Sequence, residues 1–357
     1  MDFLQNSLYK KDVERACQGI AGEQKLYKKN ILVTGATGIV GSFVVDILRY
    51  MNQTRGAGIT VYALSRNRDK LEARFGNEDP NLHYVVGDVC APLDFGEQVE
   101  CIDYVVHAAA NSYPSLFRED PTGTILKNIT GTKNVLDAAK HYGASRFLFV
   151  SSGEVYGQYE TDVAAHKETE SGMVDILSPR SCYPLSKQMA ENLCACYGMQ
   201  YNLPIVIIRL CHTFGPNALR SDNRAHMQFI RSAASGADII LKSEGRQERS
   251  YMYIADSASA ILSALLCGES GQAYNAASTE TITIRRLAET CAEMNSSAVH
   301  IQLPIPEENM EKSPIQRQVL DGEKLMALGW KARFSIQEGI EHSISILKGN
   351  DCLNFQK

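Results

Sequence analysis

An apolar run, ILVT at 31–34, meets the glycine-spaced segment Thr34-Gly35-Ala36-Thr37-Gly38-Ile39-Val40-Gly41, and GIVGSFVVDILRYM continues with helical periodicity. A strand that turns through glycines into a helix is the opening of a βαβ unit. Glycine lets the backbone turn tightly. It also lets a pyrophosphate approach the helix N-terminus, where free N–H groups and the helix dipole favour anions. Gly41 would allow the helix to pack closely on the strand. A tight turn alone would also use glycines, but the strand before and the helix after favour dinucleotide binding.

The rest of the first half repeats the pattern. ITVYALS reads as a second strand, LHYVVGDV as a third, IDYVVHAAA as a fourth, SRFLFVSS as a fifth and LPIVIIRLCHTFG as a sixth. NITGTKNVLDAAKHYG and SKQMAENLCACYGMQY are helical stretches between them. Short apolar strands alternating with helices predict an α/β protein of Rossmann type, a doubly wound parallel sheet with helices on both faces. Beyond Gly215 the rhythm loosens, and 217–248 is richer in charge and loop residues. RSYMYIADSASAILSALL then returns to strand-then-helix character, and AYNAAS reads as another short strand. The expected organisation is a helical extension over 1–28 and a dinucleotide-binding domain over 29–215. Residues 216–357 are expected to form mainly a smaller, interleaved substrate-binding lobe, with about 250–278 returning to the first sheet.

Composition narrows the partners. A net charge of -5 argues against a general electrostatic grip on nucleic acid or anionic membrane. An anionic substrate is still accommodated, because a few local arginines hold a phosphate on an acidic protein. No stretch approaches the roughly 20 apolar residues that span a bilayer. MDFLQNSLYKKDVERAC carries charges throughout and lacks the apolar core of a signal peptide, so a cytoplasmic protein is expected. The ten cysteines are scattered, with no C-x-x-C and no cysteine–histidine cluster at zinc spacing, so no metal site is expected.

On the cofactor side, the acidic residue usual at the end of the second strand is missing. Ser65 and Arg66 stand there in VYALSRNR. A carboxylate there would bind the adenosine ribose hydroxyls of NAD and repel a 2′-phosphate. Serine and arginine would tolerate or attract that phosphate, which tilts the reading toward NADP over NAD. The competing reading is an exposed loop arginine. Asp88 and Val89 follow the third strand, where an adenine edge would hydrogen-bond. Ala108, Ala109 and Ala110 follow the fourth, where small side chains leave room for the cofactor.

On the chemical side, Tyr183-Pro184-Leu185-Ser186-Lys187 puts a phenol and an ammonium four apart on one helix face. A nearby ammonium is expected to lower the tyrosine pKa, making the pair a base for a hydroxyl proton. Ser151-Ser152-Gly153-Glu154-Val155-Tyr156-Gly157 follows the fifth strand at the same sheet edge. Ser152 is placed to hydrogen-bond a reacting oxygen, and Glu154 to act as a second acid/base.

Taken in order, TGATGIVG, HAAA, NITGT, SSGEVYG, YPLSK and RSYMYIAD resemble the extended short-chain dehydrogenases. That group contains the nucleotide-sugar epimerases, dehydratases and decarboxylases. The resemblance runs from about Asn30 to about Gly339 and leaves out the first 28 residues. It implies a tightly bound NAD(P), a nucleotide-diphosphate sugar as substrate and a homodimer. The dimer would be built from the helix bearing Lys187 and the one near Asn134 to Tyr142. It implies Tyr183 as base, Lys187 holding ribose, Ser152 on the sugar hydroxyl, Asn128 supporting the lysine, and Arg249 clamping the diphosphate. Asn111 and His212 are expected beside the substrate. His212 stands where relatives commonly have asparagine and would add a pH-sensitive charge.

The shared first step in that family is oxidation at sugar C4. The E-V-Y-G pattern resembles dehydratases and UDP-glucuronate decarboxylases, with Glu154 removing the C5 proton in the former. The leading expectation is a 4,6-dehydratase. Decarboxylase, epimerase, NADPH-dependent keto-sugar reductase and non-catalytic scaffold are the alternatives. Gly153 departs from the pattern, because many dehydratases carry an acidic residue there.

Overall fold

The computed structural model describes residues 2–96, 99–158, 164–303 and 315–349. The parts of the expected domains at 97–98, 159–163, 304–314 and 350–357 lie outside the described residues. After α1 (Ser7–Cys17), the chain runs β1 (Asn30–Thr34), α2 (Ile39–Arg55), β2 (Thr60–Ser65), α3 (Arg68–Phe75), β3 (Leu82–Val86) and β4 (Tyr104–His107). It continues with α4 (Pro114–Glu119), α5 (Pro121–His141), β5 (Arg146–Ser152), α6 (Cys182–Tyr201), β6 (Ile205–Leu210), β7 (His212–Phe214) and α7 (Ala225–Ser235). Next come β8 (Ile239–Leu241), β9 (Glu248–Tyr253), α8 (Ile254–Cys267), β10 (Ala273–Ala276), β11 (Thr281–Thr283) and α9 (Ile284–Glu293). The last elements are β12 (Val299–Ile301), β13 (Arg317–Gln318), α10 (Glu323–Met326) and α11 (Ile336–Gly349).

Seven parallel strands form the main sheet in the order β10-β6-β5-β4-β1-β2-β3. Alternation along β1 sends Ile31 and Val33 into one core, with Phe43 of α2 and Ile261 of α8. Leu32 faces the other core, with Val135 of α5 and Ala190 and Cys194 of α6. Both faces of the sheet are therefore covered, which is what a parallel sheet needs. The doubly wound α/β expectation holds.

LPIVIIRLCHTFG forms two strands, not one. β6 pairs with β5 and β10, the Cys211 N–H then bonds the Ala276 carbonyl at 3.1 Å, and β7 pairs with β9 in a second sheet. β6 is mostly apolar and β7 is His-Thr-Phe, but the chain stays largely buried across Cys211 because each half sits in its own sheet, so no exposed turn marks the crossover. β9 sits among β7, β11 and β13. The return to the main sheet therefore begins at Ile254 with α8 and finishes with β10, rather than at residue 250.

The first helix is integral to the core. Asn6 caps α1 by accepting from the Leu8 and Tyr9 N–H groups, each at 3.0 Å. Tyr9, Val13, Ala16 and Cys17 bury one face against α2 and α8. The Tyr9 hydroxyl donates to Asp46 of α2 at 2.7 Å, and Asp46 is also paired with Arg74 and Arg49. Arg49 reaches Asp2 through both of its terminal nitrogens, at 3.0 and 2.8 Å. On the next turn Asp12 accepts from Tyr253 at 2.7 Å and pairs with His342 at 2.8 Å. The helix thus ties the sheet to β9 and α11.

Candidate active site

The site lies at the C-terminal edge of the main sheet, where open α/β folds bind ligands. Gly35 has φ +67°, and a Cβ there would come within 2.8 Å of the Ala109 nitrogen. A Cβ on Gly41 would come within 2.3 Å of the Gly35 carbonyl oxygen. Both glycines are therefore required for the turn to pass beneath α2. Gly38 is the α2 N-cap and makes no side-chain capping bond, so the first turn keeps its donors for an anion.

A buried relay fixes this turn to the rest of the edge. The Ala109 N–H donates to Thr34 Oγ1 at 3.2 Å, and Thr34 Oγ1 lies 2.7 Å from His107 Nδ1. His107 Nε2 lies 3.2 Å from Thr132 Oγ1, which donates to the Asn128 carbonyl at 2.7 Å. Only a neutral imidazole protonated on Nε2 satisfies this sequence of donors and acceptors. Burial, with help from the Lys187 charge, pushes the His107 pKa down to about 3.

A groove of about 360 Å³ opens above the relay. Its walls include Gly35, Thr37, Gly38, Ile39 and Val40 at one end, then Ser65, Arg66, Asp88 and Val89. Ala108, Ala109, Ala110, Asn111 and Asn128 form the middle, and Ser152, Tyr183 and Lys187 the far end. Asn128 accepts from the Asn111 N–H at 2.9 Å and donates to Ser186 at 2.9 Å. The expected contact from Asn128 to the lysine is not among its hydrogen bonds: it reaches Ser186, which donates to the Tyr183 carbonyl at 2.9 Å. Asn111, expected beside the substrate, lines this groove. The glycine cradle, the alanine floor and the uncapped helix end fit an extended dinucleotide.

A second cavity of about 200 Å³ adjoins the groove, and both are lined by Ser152, Tyr183, Cys211 and Arg224. Its further walls include Glu154, Arg180, His212, His226, Arg249 and Tyr251. Glu154 accepts from Arg180 at 3.1 and 3.2 Å. The Arg180 guanidinium lies 4.8 Å from the Phe117 ring centroid, and Phe117 stacks on Tyr183 at 4.9 Å and 18°. Arg224 is held by Asp222 through two nitrogens, with contacts at 2.9 and 2.5 Å. The Arg249 guanidinium donates to the Glu248 and Gln316 carbonyls at 2.9 Å and to the Ile315 carbonyl.

Two electrostatic expectations change. The phenol pKa is not lowered as the spacing suggested: the Lys187 Nζ donates to the Val150 carbonyl at 2.8 Å, lies over the Phe149 ring and stands 6.0 Å from the Tyr183 ring centroid. Burial and the Glu154 charge push the Tyr183 pKa up to about 12, opposed by the Ser152 hydrogen bond, Arg224 and Arg180. Burial pushes Lys187 down to about 8, opposed by Glu191. His212 does not supply a pH-sensitive charge either. Burial, Arg249 and His226 hold it neutral, well below the ordinary imidazole range.

Sequence reading missed Arg180, Arg224, Phe117 and His107. Arg180 sits three residues before Tyr183, a signal that was available. The others come from separate elements. Among the described residues, no group of three or more His, Cys, Asp and Glu is placed to hold a metal ion. No helix among them is long and apolar enough to cross a membrane.

A glycine turn, a parallel sheet and a Ser–Tyr–Lys set between two cavities define an enzyme of the nicotinamide-dependent short-chain dehydrogenase class. The chain belongs to the NAD dependent epimerase/dehydratase family, whose model matches residues 31–277. It is similar to UDP-glucuronic acid decarboxylase 6 of Arabidopsis thaliana, with 32% identity over 320 residues covering 88% of each chain. Among solved structures, it resembles the UDP-glucose 4-epimerase of Thermus thermophilus in complex with NAD. There the TM-score is 0.74 and the identity 26%, over 90% of this chain and 99% of the other. The fold also matches DesIV, a dTDP-glucose 4,6-dehydratase from Streptomyces venezuelae. That match has a TM-score of 0.77 and 24% identity, over 91% of this chain and 98% of the other.

Proposed function

We propose that this enzyme decarboxylates a nucleotide-linked uronic acid through transient oxidation at sugar C4. The observation that carries this reading is the second cavity, where three arginines meet. Glu154 pairs with Arg180 and Asp222 with Arg224, while Arg249 bonds only backbone carbonyls and keeps a charge that no carboxylate among the described residues neutralises. That uncompensated guanidinium, beside two more that a ligand can share, suits a substrate that is itself anionic, such as one bringing a carboxylate as well as a diphosphate. Similarity to a UDP-glucuronic acid decarboxylase across 88% of the chain supports the same choice.

Dehydration, the leading expectation from sequence, asks more of the site. It needs a base for the C5 proton and an acid for the departing 6-hydroxyl. Gly153 offers no acid, and a Cβ there would meet the Leu320 side chain at 3.0 Å. Loss of carbon dioxide needs no leaving-group acid. Once C4 is a ketone, the C6 carboxylate is β to it, and the electrons left by carbon dioxide are delocalised onto the C4 oxygen. Only C5 then requires a proton.

A bound nicotinamide dinucleotide supplies the hydride acceptor at C4 and returns the hydride at the end. In this reading Gly35, Thr37, Gly38 and the first turn of α2 hold its pyrophosphate, and Lys187 and Tyr183 flank its far end. Tyr183 accepts the C4 hydroxyl proton while Ser152 orients that oxygen. Arg180 and Phe117 hold Glu154 and Tyr183 in register. Glu154 relays to C5 a proton drawn from solvent, directly or through one water, while the proton held by Tyr183 returns to the C4 oxygen when the ketone is reduced.

Incubation with UDP-glucuronic acid, followed by mass spectrometry, is expected to give a product lighter by carbon dioxide. Loss of water from a nucleotide-linked glucose, with UDP-glucuronic acid untouched, would restore dehydration. Glu154→Gln is expected to lower product formation by about 10²-fold or more while bound cofactor is still partly reduced by substrate, because oxidation precedes protonation. Normal turnover in that variant would remove Glu154 from the mechanism. The exposed Leu126 on α5 and the exposed Met189 and Met199 on α6 support pairing of two copies through these helices. A monomeric mass by light scattering at micromolar concentration would rule that out.

A further inference from the structure

The end of the groove beside β2 differs from what a plain NAD site needs. β2 ends at Ser65, which is buried, with its Oγ 3.4 Å from Thr37 Oγ1 on the glycine turn. Arg66 follows, and Arg66, Asn67 and Lys70 all line the groove. The Asn67 side chain is committed to capping α3, accepting from the Lys70 N–H at 3.0 Å. Arg68 is committed as well, to Glu72 at 2.8 Å and Glu78 at 2.5 Å.

Arg66 and Lys70 are different. Neither side chain makes an ion pair or hydrogen bond among the described residues, and both are exposed at the groove wall. The carboxylate that lines the groove, Asp88, is turned toward its own loop, where it accepts from the Cys90 N–H at 2.9 Å. Two unneutralised cations and a serine hydroxyl thus stand where the ribose of a dinucleotide leaves the glycine turn. A ribose 2′-hydroxyl is commonly met by a carboxylate at the end of the second strand, where this chain has Ser65. A 2′-phosphate, with close to two negative charges, needs cations and donors.

We infer that Ser65, Arg66 and Lys70 form a binding site for the phosphate of a 2′-phosphorylated dinucleotide, so that this enzyme uses NADP(H) in preference to NAD(H). The inference rests on the dinucleotide groove of the proposed function and adds the identity of the dinucleotide. Arg66 supplies a forked donor and Lys70 a point charge. Ser65 donates its hydroxyl from the sheet edge.

Isothermal titration of the purified chain, stripped of nucleotide, with NADP⁺ and with NAD⁺ tests this without any turnover. NADP⁺ is expected to bind at least about tenfold tighter, and raising salt is expected to shrink the gap, because exposed charges are screened. Arg66→Asp is expected to reverse the order, and Lys70→Ala to narrow it. Equal binding, or tighter NAD⁺ binding, by the unaltered chain overturns the inference and leaves the decarboxylase reading standing. Binding of neither dinucleotide overturns both. The salt titration needs no variant, so a misfolded Arg66→Asp does not remove the test.

Discussion

Tyr183→Phe is expected to lower turnover by about 10²–10⁴-fold while leaving dinucleotide affinity close to that of the unaltered enzyme. The substitution removes only the hydroxyl. The ring still stacks on Phe117 at the same 4.9 Å, so the wall between the two cavities is kept. What is lost is the acceptor for the substrate proton at the start of the reaction. Burial and the neighbouring Glu154 push the phenol up to about 12, so tyrosinate is disfavoured by the protein alone. Ser152, Arg224 and Arg180 oppose that push but do not overcome it. Single-turnover rates, measured beside calorimetric affinity, separate the two effects. Undiminished turnover in Tyr183→Phe would leave the assigned chemistry without its base.

Asp46→Ala is expected to cost about 3–5 kcal/mol of stability, because it leaves the buried Arg74 without its carboxylate partner, while Arg49 keeps Asp2. Asp46 is fully buried on α2 and takes the Tyr9 hydroxyl, Arg74 and Arg49 together. Arg74 has little other compensation: it lies over Phe3 and Phe75 and touches the Tyr9 hydroxyl. Tyr9→Phe removes one neutral donor and should cost only about 1–2 kcal/mol. Urea unfolding of the three proteins checks the ranking. A cost below that of Tyr9→Phe would mean that the network is not what anchors the first helix.

These two residues mark how far the sequence could be read. Tyr183 stood out because phenol and ammonium share a helix face, and helix spacing is written directly into residue number. The glycine turn stood out for the same reason, since Gly35, Gly38 and Gly41 act within one turn. The Asp46 network was not legible. Tyr9, Asp46 and Arg74 are spread over three elements, and each alone reads as an ordinary polar residue. His107 was hidden in the same way, between Thr34 and Thr132 from two other elements. Lys187 lines the same groove as Tyr183, as helix spacing implies, but spacing does not say where its ammonium points. Its direction is set by the Val150 carbonyl, which no spacing rule reports. The strand break at Cys211 left no trace because both sides of it are buried.

The relay from Ala109 through Thr34, His107 and Thr132 to Asn128 joins backbone at the glycine turn to backbone of α5, which packs against the helix bearing Tyr183 and Lys187. Its members are neutral and deeply packed, so the relay does not loosen when acidity changes across the physiological range. The two halves of an elongated ligand therefore meet a mould whose spacing is set during folding. Little freedom remains to be lost at the moment of capture, so the scaffold itself lowers the ordering cost of binding.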